Sequence, residues 1–254
     1  MGVEIAQAVH RHPGTQISAG LDRSESPAIA RDIGEWAGVG RLEIPITDKL
    51  DVFFAASEVV IDLSLPNATE TILAAAVEKK TPLLCGTTGV SNETLGKFDI
   101  AAKAIPVLYA RNLSLGVTVL QLLVEQAART LNEGFDIEIV EMHHRNKVDA
   151  PSGTALALAE SAAKGRGIDL GPNLIHGRSG HTGVRGDSEI GMHALRGGGV
   201  FGDHTVILAS PNESVELTHR AASRAVFAEG AVKAALFLAA QKPGRYEMKD
   251  VLLS

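Results

Sequence analysis

The sequence predicts an α/β fold with two domains: a doubly wound parallel sheet and a smaller domain built on a mixed sheet. Short apolar strands alternate with helices through the first half of the chain, an order that is typical of parallel sheets. Beyond Leu115 several strand-like runs follow one another closely, as they do in antiparallel or mixed sheets. The 254 residues, 45% of them hydrophobic and 21% charged, are enough to bury the core of one large domain or of two smaller ones.

The first half begins with a helix and continues with alternating elements. Val3, Ala6 and Val9 recur at helical spacing and predict a helix over Gly2–Arg11. The segment TQISAGLD (15–22) is predicted to be a strand that ends in an acidic residue. The later elements of this half are a strand over Val59–Leu63, a helix from Pro66 to about Lys80, a strand in PLLCG (82–86), a helix over Asn92–Ala104 and a strand in IPVLYA (105–110).

The second half has a different order of elements. They are a helix over about Val117–Asn132, a strand in FDIEIVEMHH (135–144), a helix over Thr154–Lys164, and strands over Glu189–Leu195, Thr205–Ala209 and Ser214–Thr218. Short glycine-containing connections such as RGGGVFGD (196–203) indicate an antiparallel or mixed sheet. A last helix, from about Arg224, can return to the first domain. We therefore expect one domain formed by residues 1–114 and 224–254, and a second formed by residues 115–223.

Composition excludes several classes of partner. The net charge of −6 gives no electrostatic footprint for nucleic acid. Cys85 is the single cysteine, which excludes an internal disulfide, and its apolar surroundings indicate a buried thiol and not a nucleophile. The apolar segment 225–240 carries Glu229 and Lys233, so it is predicted to be a packed helix and not a membrane span. With no secretory signal visible, we expect a cytoplasmic protein with neither a nucleic-acid nor a membrane partner.

Two segments are candidates for holding a dinucleotide. Asp22 ends a strand 20 residues after Gly2, and an acidic residue at that spacing binds the adenosine ribose in dinucleotide-binding units. Arg23 could instead accommodate a ribose 2′-phosphate, and a solvated turn is the alternative for the pair. The motif GTTG (86–89) follows a strand and offers backbone amides and two hydroxyls, which suit an amide-bearing ring such as nicotinamide. A tight turn is the alternative here, and YARNLSLG (109–116) leaves the same choice open.

The segment EMHHRNKVDAPSGTA (141–155) gathers positive charge directly before a helix. Alternation along a strand places His143 and His144 on opposite faces, with Lys147 on the His143 side if the extended geometry continues. Asp149 or Ser152 is the candidate N-cap of the helix.

Free backbone amides at such a helix start form an anion site, helped by the helix dipole. Together with the lysine and the two imidazoles, that site suits a small molecule with more than one carboxylate. A metal site is one alternative, but only the adjacent histidine pair is present and no third ligand has a motif spacing. A solvated basic turn is the other alternative.

Taken in order, these motifs closely resemble those of the 4-hydroxy-tetrahydrodipicolinate reductase (dihydrodipicolinate reductase) family of the diaminopimelate–lysine pathway. The resemblance covers essentially the whole chain, and its supporting motifs are GTTG, ARNLSLG (110–116), GRSGHTG (177–183) and ASRAVFAEGA (222–231). It implies a Rossmann-type coenzyme domain and a smaller mixed α/β domain that binds the substrate and forms a homotetramer. It also implies that NADPH or NADH delivers hydride to a cyclic dicarboxylate, giving tetrahydrodipicolinate.

The resemblance assigns a role to each matching residue. His143 becomes the proton-handling residue and Lys147 the proton donor, while His144, Gly153 and Thr154 hold a substrate carboxylate. Asp22 and Arg23 face the adenosine ribose, and no metal is implied. The nicotinamide side is lined by Gly86, Thr87, Thr88, Ala110, Arg111, Asn112 and Leu113. Leu113 stands where the family often has phenylalanine, a departure expected to loosen the contact with the ring.

The beginning of the chain is the larger departure. Family members open with an apolar strand and a G-x-x-G-R-M-G loop, whereas this chain opens at the final Met-Gly of that loop. We therefore expect a truncated N-terminus and a parallel sheet whose first strand is missing.

Two hypotheses compete with a pathway reductase. One is a non-catalytic tetrameric relative that binds a dicarboxylate and has lost coenzyme binding with its N-terminus. The other is a dehydrogenase that acts on a different small imine. The joint presence of His143, Lys147 and GTTG favours the enzyme, because a binding module has no need of hydride geometry.

Overall fold

The computed structural model describes all of Met1–Ser254, and the chain forms two compact units. Unit 1 contains Met1–Leu115 and Arg224–Ser254, and unit 2 contains Gly116–Ser223. In chain order, the first elements are α1 (Gly2–Arg11), β1 (Gly20–Leu21), α2 (Ile33–Ala37), β2 (Ile46–Thr47), α3 (Leu50–Ala55), β3 (Val60–Asp62), α4 (Pro66–Lys79), β4 (Leu83–Cys85), α5 (Asn92–Ala101) and β5 (Pro106–Tyr109).

The helix α6 leads from unit 1 into unit 2, and the last helices return to unit 1. The elements are α6 (Leu115–Thr130), β6 (Asp136–His143), α7 (Gly153–Arg166), α8 (Leu170–Asn173), β7 (Leu174–His176), β8 (Ile190–Arg196), β9 (Asp203–Ala209) and β10 (Ser214–Arg220), then α9 (Ala225–Ala239), β11 (Gly244–Tyr246) and α10 (Met248–Leu252). No helix combines the length and apolarity that crossing a bilayer demands, and α6, the longest, has 16 residues.

The parallel sheet of unit 1 is in two parts. The strands β1 and β2 pair with each other, and the other four pair in the order β11-β5-β4-β3, all of them parallel. Along β4, Leu83 packs on one face of the sheet with Phe98 of α5, while Leu84 packs on the opposite face with Ala234 of α9. Both faces of this sheet are therefore covered by helices, which explains why its strands are continuously apolar.

Unit 2 is built on a mixed five-stranded sheet in the order β10-β9-β6-β8-β7. The strand β6 pairs parallel with β8 and antiparallel with β9, so the predicted mixed sheet is confirmed. One face packs against the helices α6 and α7, where Ile139, Leu158 and Val206 are completely buried. The opposite face, which we call the open face, carries Glu138, Val140 and the other alternate residues of β6.

The longer elements lie where the sequence predicts them, and the differences concern short ones. The predicted strand over Thr15–Asp22 contains only the two residues of β1, because only Gly20 and Leu21 pair with β2. Seven elements were not predicted: α2, β2, α3, α8, β7, β11 and α10, none longer than six residues. Such short segments complete too few turns or alternations to show a period.

Candidate active site

The anion site predicted at the start of α7 has the expected cap. Ser152 is the N-cap residue, and its Oγ accepts a hydrogen bond of 3.1 Å from the amide of Ala155. Asp149, the other candidate, instead lies in the preceding loop and holds Lys147. Gly153 and Thr154 belong to the first turn of this 14-residue helix, at the positive end of its dipole.

The chain turns immediately after His143, the last residue of β6. The amide of Lys147 donates to the carbonyl of His144 at 3.1 Å, and the amide of His144 donates to Val200 at 2.7 Å. The extended geometry therefore stops before Lys147, so the condition under which alternation would place Lys147 on the His143 side is not met. Both oxygens of Asp149 accept from Lys147 Nζ at 2.8 Å, and the lysine side chain is 20% exposed.

A completely buried carboxylate lies between the strand end and the helix start. Glu141 Oε2 is 2.6 Å from His143 Nδ1, and Oε1 accepts from the amide of Ser152 at 3.0 Å. The guanidinium of Arg196 donates to both oxygens, at 2.8 and 2.9 Å, and also to the carbonyl of Asp149 at 2.7 Å. Burial raises the pKa of Glu141, but the hydrogen bonds from Arg196, His143 and Ser152 outweigh it and lower that pKa overall.

A second buried histidine lies beside this carboxylate. His204 packs edge-on against His143, with 5.2 Å between the ring centroids, and its Nε2 is 3.0 Å from Ser152 Oγ. Burial, followed by the proximity of His143, lowers the pKa of His204 to about 4. His204 is therefore neutral near pH 7, although its buried Nδ1 has no hydrogen-bond partner.

The free nitrogen of His143 faces a glycine. A Cβ atom at Gly202 would lie 3.0 Å from His143 Nε2, closer than side chains ordinarily pack. Nδ1 is held by Glu141, and the absence of a Cβ atom at Gly202 lets the chain pass close to Nε2 without a steric clash.

His144 provides a different kind of group. Its Nδ1 is buried and has no hydrogen-bond partner, so the ring retains a polar atom that a ligand or water can satisfy. No cluster of three or more histidine, cysteine, aspartate or glutamate side chains is arranged to hold a metal ion.

A cleft of unit 2 lies elsewhere. It has a volume of about 640 Å³ and is lined by residues that include Pro151, His176 and Leu195, but not by His143 or Lys147. Its Arg178 and His193 are already bound to Glu138 at 3.0 and 2.7 Å. We therefore assign the candidate site to the buried polar cluster and not to this cleft.

In unit 1, the start of α1 and the end of β1 line one cleft of about 120 Å³. Gly2 and Val3 lie on its helix side, Asp22 on its strand side, and Trp36 across from them. The carboxylate of Asp22 accepts from the amide of Arg23 at 2.8 Å and from Ser26 Oγ at 2.6 Å. Both Asp22 and Arg23 are exposed, so a ribose and its substituents can reach them.

The GTTG motif follows β4 directly. Thr87 is buried, and its Oγ1 has no hydrogen-bond partner, while Thr88 is exposed. A Cβ atom at Gly86 would lie 2.5 Å from a methyl group of Leu63 and 2.8 Å from one of Leu113, so a larger residue would displace these side chains. The motif therefore brings an unused hydroxyl and a tightly packed glycine to the end of the strand.

The segment 110–113 follows the neighbouring strand β5. The amide of Ala110 donates to the carbonyl of Cys85 at 3.0 Å, which joins this segment to the end of β4. Asn112 Oδ1 accepts from the amide of Ser114 at 2.8 Å, and Arg111 is exposed. Leu113 is 4% exposed and its side chain packs in the core with Leu84 and Leu108, so only its backbone is available to a ligand.

Cys85 is the buried thiol that the sequence predicts. It is completely buried, and its Sγ lies 3.5 Å from Asp62 Oδ2. Burial and the nearby charge of Asp62 raise the pKa of Cys85 to about 12. A thiol with that pKa is protonated at neutral pH and is a poor nucleophile.

Three members of the buried cluster were not among the residues singled out from the sequence: Glu141, Arg196 and His204. Glu141 could have been found, because it lies two residues before His143 on the same strand and therefore on the same face. Arg196 and His204 belong to the paired strands β8 and β9, whose register carries no local sequence signal.

Profiles of one protein family match almost the whole chain. Residues 1–113 match the profile described as dihydrodipicolinate reductase, N-terminus, and residues 116–252 match the C-terminus of the same family. A 4-hydroxy-tetrahydrodipicolinate reductase of Halorhodospira halophila is 48% identical over 252 residues, which are 99% of this chain and 94% of that protein. One from Sinorhizobium fredii is 49% identical over 253 residues, covering 99% of this chain and 93% of the relative.

Solved structures show the same fold at lower identity. A dipicolinate-bound dihydrodipicolinate reductase from Paenisporosarcina sp. TG-14 superposes with a TM-score of 0.74 at 23% identity, covering 96% of this chain and 92% of that one. An amine dehydrogenase from Mycobacterium smegmatis superposes with a TM-score of 0.59 at 11% identity, covering 96% and 90%.

Proposed function

The chain belongs to the dihydrodipicolinate reductase family and reduces 4-hydroxy-tetrahydrodipicolinate with NAD(P)H on the diaminopimelate route to lysine, and we propose that the cluster around Glu141 is the substrate half of its active site. One observation carries this assignment. The carboxylate of Glu141 binds both His143 and the backbone at the start of α7. The proposed proton-handling group and the proposed anion site are therefore held next to each other by one side chain. Unit 1 is the proposed coenzyme domain and unit 2 the substrate domain.

The proposed carboxylate site uses the first turn of α7. Gly153 and Thr154 lie at the N-terminal end of this helix, where its dipole is positive and favours an anion. Lys147 adds an ammonium group and His144 a buried ring nitrogen without a partner. A substrate with two carboxylates needs such donors in place beforehand, because donors that are already oriented cost no reorganisation during the reaction.

Proton transfer is assigned to Lys147 and His143. When bound, the reduced nicotinamide supplies the hydride. Lys147 is the proposed donor, because both oxygens of Asp149 hold its ammonium group in one orientation beside the start of α7. His143 handles the proton at Nε2, since Nδ1 is bound to Glu141 and no side chain at Gly202 stands against Nε2.

The residues of unit 1 fit a nicotinamide dinucleotide. The cleft that joins Asp22 to the start of α1 supports an adenosine ribose next to a helix N-terminus. The unpaired buried Oγ1 of Thr87 supports a partner such as the nicotinamide amide, with Gly86, Thr88 and the backbone of residues 110–113 beside it. We propose that both NADH and NADPH are accepted, with Asp22 serving the ribose and Arg23 the 2′-phosphate.

Turnover with freshly prepared 4-hydroxy-tetrahydrodipicolinate tests the function, with coenzyme oxidation followed by absorbance. His143→Ala and Lys147→Ala are each expected to lower turnover by about 10²–10⁴-fold, as is usual for the loss of a general acid. Coenzyme affinity is expected to stay near the wild-type value, because neither residue belongs to unit 1. Lys164→Ala, which removes a 69%-exposed lysine near the end of α7, is the control and should retain full activity.

The outcomes separate the competing functions. A wild-type protein that binds dipicolinate but never oxidises coenzyme would support the non-catalytic relative. Coenzyme oxidation only with another cyclic imine would support a related dehydrogenase. Wild-type turnover in both single variants would remove His143 and Lys147 from the proposed mechanism while leaving the overall activity in place.

The proposed assembly is a homotetramer in the cytoplasm. The open face of the sheet in unit 2 carries Val140, Ile207 and the 48%-exposed Leu195, and this apolar content supports burial against other copies. A free, buried cysteine and a need for reduced coenzyme support a reducing compartment.

A further inference from the structure

We infer that Glu141 is a positioning residue that holds His143 and the start of α7 in one fixed arrangement. This inference rests on the proposed role of His143 and extends it to a residue that does not itself face the substrate. Glu141 is 0% exposed, so it acts through the groups that it binds.

All the acceptor capacity of this carboxylate is used. An ionised carboxylate accepts about four hydrogen bonds, and Glu141 makes four: one with the imidazole of His143, one with the amide of Ser152 and two with Arg196. Both oxygens are therefore fixed in direction. The carboxylate links the last residue of β6 to the N-cap of α7, and through Arg196 it also reaches the carbonyl of Asp149 in the Lys147 loop.

The contact with His143 determines which ring nitrogen carries the proton. An ionised carboxylate only accepts, so Nδ1 of His143 must be the donor in this pair. The neutral ring then presents a lone pair at Nε2 and the protonated ring an N–H, which makes Nε2 the nitrogen that exchanges a proton. Without the carboxylate, the neutral ring is free to adopt either tautomer and to rotate.

Stability alone is a poor explanation of this cluster. Replacing a buried ion pair by apolar residues of similar volume is often neutral or stabilising. The cluster also contains His204, a second buried imidazole that fixes Ser152 Oγ and has an unsatisfied Nδ1. Such an arrangement has a cost in folding free energy and gives instead a defined geometry at His143 and Ser152.

The variant Glu141→Gln tests the inference, because an amide keeps the shape of the side chain but has only one acceptor oxygen. We expect kcat to fall by roughly 10²-fold, within the range for a misplaced general acid–base, while coenzyme affinity is unchanged. Nitrogen-15 NMR of the histidines should show Nδ1 of His143 protonated in the neutral wild-type ring and that preference lost in the variant. Glu141→Asp keeps the charge and should restore the Nδ1-protonated tautomer and part of kcat.

Arg196→Gln is the matched control, because it removes the other partner of Glu141 and leaves the carboxylate against His143. It should retain the wild-type tautomer and lose less of kcat than Glu141→Gln. Where Glu141→Gln folds poorly, the double variant Glu141→Gln/Arg196→Gln removes the unpaired guanidinium, and the same two measurements are made on it.

The possible outcomes are distinct. If Glu141→Gln kept the wild-type kcat and the wild-type tautomer of His143 while His143→Ala had a reduced kcat, the inference about Glu141 would be wrong. The proposed function of His143 would then still stand. Recovery of wild-type kcat in the double variant would also overturn the inference about Glu141, by showing that the loss came from the unpaired arginine. Full activity of His143→Ala would instead overturn the proposed function of that histidine, whatever the NMR result.

Discussion

Asp22 and Arg23 lie side by side after β1, and they favour different coenzymes. Asp22 is held in place by the amide of Arg23 and by Ser26, whereas the guanidinium of Arg23 is exposed and makes no hydrogen bond. A carboxylate binds ribose hydroxyls and repels a phosphate, but a guanidinium can bind the 2′-phosphate of NADPH through two parallel hydrogen bonds.

We therefore expect Arg23→Ala to raise the KM for NADPH more than the KM for NADH. Steady-state kinetics with each coenzyme at saturating substrate measure the difference. Lys103→Ala removes the same charge from another exposed position of unit 1 and should affect the two coenzymes equally. An equal rise for both coenzymes in Arg23→Ala would show that the arginine does not bind the phosphate.

His204 makes the stability of the protein depend on pH. The titratable groups around it are His143, Glu141, His219 and Lys147, and its pKa in the folded protein is about 4, against 6.5 for a free histidine. Between these values the unfolded chain binds a proton that the folded chain excludes, so stability is complete above about pH 6.5 and falls as the pH decreases towards 4. The slope from this group approaches about 1.4 kcal/mol per pH unit.

Chemical denaturation between pH 6.5 and 5 measures this slope above the range where carboxylates titrate. His204→Gln keeps a polar side chain beside Ser152 but cannot titrate, so its free energy of unfolding should depend less on pH. His219, whose pKa burial also lowers, contributes the residual slope. Identical slopes in the wild type and the variant would mean that His204 is already protonated, or accessible, in the folded protein.

Around Ser152 and Glu141, the sequence predicts the contacts between residues that are close in the chain and does not predict the contacts between strands. Ser152 is recognisable as a cap because capping depends on residues within one turn. Glu141 follows from alternation along β6, but its partners Arg196 and His204 come from β8 and β9. Those contacts depend on strand register, which is determined by packing over the whole sheet and not by any local motif.

Among the elements, long periodic segments are predictable and short ones are not. The bounds of α1 and α4 are predicted within one residue because each contains at least ten residues of helical periodicity. The two-residue strands β1 and β2 have no periodicity of their own, and only their mutual pairing defines them. The segment before Gly20 has an apolar pattern, but it pairs with no neighbouring strand and is therefore not part of the sheet.

The packing of α9 on unit 1 depends on one glycine. A Cβ atom at Gly230 would overlap the carbonyl oxygen of Leu113, which belongs to the backbone and cannot rotate away. Gly230→Ala should therefore displace α9 or the segment 110–113, lowering the free energy of unfolding by about 1–3 kcal/mol. Because that segment is a proposed part of the nicotinamide site, coenzyme affinity should fall as well.

Gly96→Ala provides a control of opposite sign. Gly96 lies within α5, where an added Cβ atom would meet nothing within 4 Å, so alanine should stabilise the helix by roughly 0.5–1 kcal/mol. Denaturant unfolding and coenzyme titration of the two variants provide the comparison. If Gly230→Ala were as stable as Gly96→Ala, α9 would not pack closely against the backbone of Leu113.

For the whole molecule, the open face of unit 2 is the feature that bears on assembly. Ile207 lies on this face near the middle of β9, opposite Glu138 on β6 and Glu216 on β10. A lysine at this position would lie between two glutamates, so Ile207→Lys should leave the isolated chain stably folded. It would also place a charge in the centre of any interface that covers the face, and an unpaired charge there is strongly unfavourable.

We therefore expect the wild type to be a tetramer in light scattering, and Ile207→Lys to form a smaller species with unchanged circular dichroism. Ile100→Lys, at a position that is 67% exposed on α5, adds the same charge to unit 1 and should leave the tetramer intact. If both variants remained tetrameric, the open face would not be the interface. If Ile100→Lys alone dissociated, the interface would belong to unit 1, and the assignment of assembly to unit 2 would be wrong.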